Sequence, residues 1–67
     1  IIFPNPVSDE VFIEHNSILK VIISDVNGSS LLESSRNQLS VSSLKPGLYL
    51  IQIETEDAIF NQKLIKK

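Results

Sequence analysis

The sequence predicts an all-β fold, a small antiparallel β-sandwich of about seven short strands, and three observations lead to it. Apolar residues alternate with polar ones at a period of two, the mark of half-buried strands. The alternating runs are rich in β-branched Ile and Val, which pack well on a pleated surface. Between them stand turn-forming clusters: "PNP", "HNS", "DVNG", "SSRN", "KPG" and "TED". Strands recurring about every 8–12 residues with such punctuation indicate a sandwich. No stretch sustains helical spacing for about ten residues.

The strands are expected near residues 2–3, 10–15, 19–25, 30–34, 38–42, 48–55 and 58–66. After the first comes "FPNPVSD", in which Pro4 and Pro6 lack an amide hydrogen and push Phe3 and Asn5 towards extended backbone. Such a segment suits a sheet edge, not a central strand. It reads either as an edge-strand terminator or as a stiff joint with a preceding domain. In "EVFIE", Val11 and Ile13 share a face and Phe12 points away from it. In "ILKVIISD", the shared face carries Leu19, Val21 and Ile23. The return "SDVNGSS" lets Asp25 cap a type I turn with its carboxylate, while Asn27 and Gly28 tolerate positive φ. In "LKPGLY", Pro46 pre-sets φ and Gly47 suits the positive φ of a type II turn. Tyr49, Ile51 and Ile53 then alternate, and in the last strand Phe60 and Leu64 face inward while Ile65 and the lysines face out.

At 67 residues the chain has room for one core. Below about 70–80 residues a core needs support from disulfides, metals or a neighbour. There is no cysteine and a single histidine, which excludes disulfides and thiolate zinc sites. Support therefore falls to close packing, helped by an adjacent domain. A net charge of −2 argues against nucleic acid, which calls for a basic footprint. No apolar run approaches the ~18 residues of a transmembrane segment. With no Met at position 1 and no signal-peptide pattern, the chain reads as one domain, residues 1–67, excised from a longer protein.

Catalytic constellations are thin. His15 lies at a strand end before "NS" and reads as a solvated loop residue; no G-x-S-x-G elbow accompanies the serines. Glu54, Glu56 and Asp57 cluster at a hairpin tip, and Asp25 with Asn27 belongs to a turn, so calcium is the weaker reading of both. "NGS" at Asn27–Ser29 matches the glycosylation acceptor pattern, which is short and is already explained by the hairpin. The sequence predicts no enzyme and no cofactor. Phe12 stands out from the aromatics as a surface anchor or an edge or interdomain contact.

Taken in order, "FPNPVSDEVFI", "VIISDVNGSSLLE", "LSVSSLKPGLYLIQIE" and the closing "QKLIKK" resemble the C-terminal sorting domain of the type IX (Por) secretion system of Bacteroidetes. The resemblance covers essentially the whole chain. Its proline motif falls on Pro4, Asn5 and Pro6, its glycine turn on Asp25 and Gly28, and its Gly-x-Tyr on Gly47 and Tyr49. Its terminal basic strand falls on Lys63, Leu64, Ile65, Lys66 and Lys67. Phe3 and Ser24 stand where tyrosine is frequent, Ser29 where lysine is usual, and Val41-Ser42 replaces an Asp-rich stretch. The resemblance implies an immunoglobulin-like sandwich that catalyses nothing. It would direct a cargo, N-terminal in the same chain, from the periplasm across the outer membrane. Implied partners are the secretion translocon and outer-membrane shuttle and sortase proteins. The sortase would remove the domain, leaving the cargo extracellular or attached to the cell surface through lipopolysaccharide.

The residues suit such a role. A terminal strand at a sheet edge offers unpaired N–H and C=O groups to another protein, although edge lysines also discourage indiscriminate pairing. Lys63, Lys66 and Lys67 with Ile65 are the expected export contact, and Gly47 and Tyr49 the expected guarantors of the fold. Two other classes remain open: an adhesive or carbohydrate-binding immunoglobulin-like module, and a structural spacer of a secreted enzyme.

Overall fold

The computed structural model describes residues 2–67. Alternation becomes seven strands: β1 (Ile2–Phe3), β2 (Glu10–Ile13), β3 (Ile18–Ser24), β4 (Ser30–Ser34), β5 (Gln38–Ser40), β6 (Gly47–Thr55) and β7 (Ile59–Lys66). They form a three-stranded sheet, β1-β2-β5, and a four-stranded sheet, β4-β3-β6-β7, with every strand pair antiparallel. The fourth strand sits beside the third, the C′ position of an immunoglobulin-like sandwich. The expected fold class is therefore observed. No helix of the described residues is long and apolar enough to cross a membrane.

The core is aliphatic. Ile2, Val11, Ile13 and Val41 come from the three-stranded side, Val7 from the segment bridged to β7, and Val21, Ile23, Ile51, Ile53 and Leu64 from the four-stranded sheet. Val11 with Ile13 and Ile51 with Ile53 keep the spacing of two that alternation required. Leu19 does not follow it. A register shift between Ile18 and Lys20 inserts one extra residue, which reverses the faces upstream of it. Leu19 consequently lies exposed while Ile18 packs against the core. A second irregularity between Ile23 and Ser24 marks the approach to the next turn.

The turns follow their residue chemistry with two corrections. At Asp25 one carboxylate oxygen accepts from the Asn27 and Ser29 amides at 2.9 and 3.0 Å, and the Gly28 amide donates to the Asp25 carbonyl at 3.0 Å. Within this turn only Gly28 takes positive φ, at 92°, and Asn27 does not, because a single left-handed residue completes the return. The type II turn expected at Pro46-Gly47 is absent. The turn forms upstream, where the Leu44 amide donates to the Val41 carbonyl at 3.0 Å. Gly47 instead opens β6 with φ of 154°.

Tyr49 fixes that loop from the other side. Its hydroxyl donates to the Lys45 carbonyl at 2.6 Å, the tyrosine corner that immunoglobulin-like folds place at the start of their sixth strand. At the opposite end Thr55, buried although polar, closes the β6–β7 return. Its hydroxyl donates to the Ala58 carbonyl and accepts from the Asp57 and Ala58 amides. Glu56 and Asp57 are left at an exposed tip, and the described residues contain no cluster of three or more His, Asp or Glu able to hold a metal.

Candidate functional site

The proline motif and the basic terminus lie at opposite ends of the sequence, and the fold brings them together. After Phe3 the chain leaves β2, its partner in the three-stranded sheet, and crosses to the edge of the four-stranded one. Both X-Pro bonds of the crossing, Phe3-Pro4 and Asn5-Pro6, are cis. The Asn5 side chain then serves as a surrogate strand. Its Nδ2 donates to the Lys63 carbonyl and its Oδ1 accepts from the Ile65 amide, each at 3.0 Å. One primary amide thereby reproduces the donor–acceptor pair of a peptide group. Val7 continues the contact in parallel: its amide donates to the Ile65 carbonyl and its carbonyl accepts from the Lys67 amide, both at 2.8 Å.

Two expectations change as a result. β7 is not open along its whole outer edge, since Asn5 and Val7 occupy it from Lys63 to Lys67. The Pro4–Pro6 segment is not a free-standing joint either: it is exposed, but it is pinned to β7. Prolines suit the crossing because the segment gives up its own ladder bonds while changing sheets.

The side chains of β7 divide by register. Leu64 pairs with Tyr49 on the core side and is fully buried. Ile65 pairs with Leu48 on the outer face, and both are exposed. Lys63 is exposed, opposite Leu50, whereas Lys66 shares the face of Leu64 and is half-buried beside Val7, so the lysines do not all face out as expected. The ion pair found among the described residues joins Lys20 to Glu33 at 3.5 Å. Among the described residues Lys63, Lys66 and Lys67 have no acidic side-chain partner, although the Lys66 ammonium donates to the Lys67 carbonyl at 3.2 Å. Phe60 lies on the core side opposite buried Ile53, yet it is 49% exposed, because it stands where the shorter sheet ends. His15 is half-buried rather than fully solvated: its Nδ1 accepts from the Ser17 amide at 3.2 Å and its ring lies 5.9 Å from that of Phe60. Phe12 stacks on Phe3 across the β1–β2 pair, with centroids 5.8 Å apart on the outer face of the three-stranded sheet.

Asn5→Ala is expected to lower unfolding free energy by about 1–3 kcal/mol, since both hydrogen bonds go while the edge stays partly solvated. The Ile65 amide should exchange with solvent faster in the same variant. Unchanged exchange at Ile65 would show that the side chain does not protect it.

Sequence reasoning identified Asn5 but missed Val7, which no motif singles out; its apolar character three residues before the acidic Glu10 is the only local signal. The class defined by these features is a small immunoglobulin-like β-sandwich module with a tyrosine corner and a clasped, lysine-bearing terminal strand. A family model described as "Secretion system C-terminal sorting domain" matches residues 1–67, and the chain belongs to that family. It is a C-terminal sorting signal of type IX secretion, a family of generally non-catalytic domains, and such a tail implies export across the outer membrane. No curated protein and no solved structure matches the chain.

Proposed function

We propose that residues 1–67 form a single folded export address carried behind a cargo domain in the same chain. Its contact with the translocon and outer-membrane shuttle is the surface joining Pro4, Asn5 and Pro6 to Lys63, Ile65, Lys66 and Lys67. One observation carries this reading: the Asn5 side chain bonds to the backbone of Lys63 and Ile65, which merges two distant family motifs into one exposed surface. Free lysines there suit an acidic counter-surface, because complementary charge raises encounter rates and selects partners. Asp25, Gly28, Gly47 and Tyr49 act indirectly by holding the two connecting loops. After delivery a cell-surface sortase removes the domain, and the cargo is left extracellular or surface-attached.

The test is a reporter protein fused ahead of the chain in a bacterium that possesses type IX secretion. Replacing Lys63, Lys66 and Lys67 together by Glu is expected to cut surface delivery at least about tenfold, with the reporter accumulating in the periplasm. Each charge is exposed or half-exposed, so the urea midpoint should move little. Undiminished surface delivery of the folded triple variant would overturn the contact. Sortase removal is read from the delivered reporter, which should lack the 7.5 kDa domain. The stacked Phe3–Phe12 pair is the observation that favours the adhesive alternative, under which delivery would not depend on the lysines.

A further inference from the structure

The clasp covers one half of the β7 edge and leaves the other half open. In the β6–β7 pair the groups of Ile65 point outward to Asn5 and Val7. Alternation along an antiparallel strand makes Ile59, Asn61 and Lys63 point the same way. Lys63 gives its carbonyl to Asn5. The Ile59 and Asn61 amides and carbonyls and the Lys63 amide have no partner among the described residues. Donors and acceptors therefore recur every second residue along Ile59–Lys63, the pattern that a further strand requires.

Two more features lie along this stretch. An open cleft of about 340 Å³ borders it, floored by Ile13 and Ile53 and walled by Phe60 and the His15 ring. On the opposite face of β7 stands Lys63, exposed and without an acidic partner among the described residues. We propose that the β7 edge over Ile59–Lys63 is a strand-addition site for an extended segment of a partner protein. The segment places an apolar side chain in the cleft and a carboxylate beside Lys63. Backbone bonds supply the attraction and the cleft supplies the choice of side chain, as in other sheet-edge recognition. Period-two geometry makes both contacts compatible, because a residue opposite Lys63 and its immediate neighbour fall on opposite faces. The site shares Lys63 with the clasped surface above, but its readout is peptide binding rather than export, so its failure would leave the triple-lysine test unaffected.

The probe is a synthetic peptide alternating aspartate with valine and phenylalanine, titrated into the isotope-labelled chain. The amide signals of Asn61 and Lys63 are expected to shift, and their hydrogen exchange to slow at least about tenfold. Asn61→Pro should abolish binding: it deletes an outward amide that takes no part in the β6 ladder, a position where an edge strand accepts proline. Lys63→Glu, a surface change, should weaken binding about fivefold. A peptide N-methylated at alternate amides should not bind, and this control leaves the protein unaltered. Absence of shifts at Asn61 and Lys63 would overturn the proposal, as would undiminished binding of the N-methylated peptide. Protection of those amides that rises with protein concentration alone would overturn it too, assigning the edge to a second copy of the chain.

Discussion

Leu64→Ala is expected to unfold the domain. The side chain is fully buried between the sheets, among Val7, Ile51 and the other aliphatic residues of the core. Truncating such a leucine costs about 2–5 kcal/mol, combining lost transfer energy with the cavity left behind. A single core in a domain this small supplies no more than about 3–5 kcal/mol. The loss therefore consumes most or all of the available stability. Urea unfolding followed by circular dichroism should show a collapsed or missing transition. Ile65→Ala provides the contrast: one residue further along, half-exposed on the outer face, it should cost under about 1 kcal/mol. A Leu64→Ala midpoint equal to that of the parent chain would refute the packing described here. Under the export contact proposed above, the pair also separates two routes to failed export, folding at Leu64 and contact at Ile65. Deleting the whole basic terminus would confound them.

Gly47→Ala is the second large effect, and it isolates the backbone from packing. Gly47 sits at φ 154°, a conformation that L side chains rarely adopt, and a Cβ built there meets nothing within 4 Å. No clash contributes, so the expected loss of about 1–3 kcal/mol is backbone strain alone. Gly47→Val should lose more, as β-branching narrows the permitted conformations further. The measurement is the urea midpoint at constant slope, which reports stability without altered compactness. An alanine variant as stable as the parent would show that the residue does not need its glycine. Because Gly47 pairs with Lys66 and Tyr49 with Leu64, the strain bears directly on the clasped end of β7.

Local alternation disclosed the strands, their order along the chain and most of the core, because side-chain direction in a strand depends only on neighbouring residues. It failed at Leu19, where one inserted residue reversed the faces; nothing in "ILKVIISD" distinguishes a bulge from a regular strand. It misplaced the turn before β6, since Pro46-Gly47 has the composition of a type II turn while Val41 and Leu44 carry the bond. The candidate site was legible as residues but not as an arrangement. Asn5 and Ile65 lie 60 positions apart, and pairing at that separation is settled by how the two sheets close on each other. Phe60 shows the same limit: its face was foreseeable, whereas its exposure depends on the length of the facing sheet.

The bond between Asn5 and the final strand has a temporal side. A chain interrupted before Leu64 lacks a core residue as well as the backbone that the opening segment grips, so the crossing segment loses its hold on the four-stranded sheet. Under the export reading proposed above, fragments that stop short of this strand would present no mature tail, and architecture alone would separate them from chains that include it.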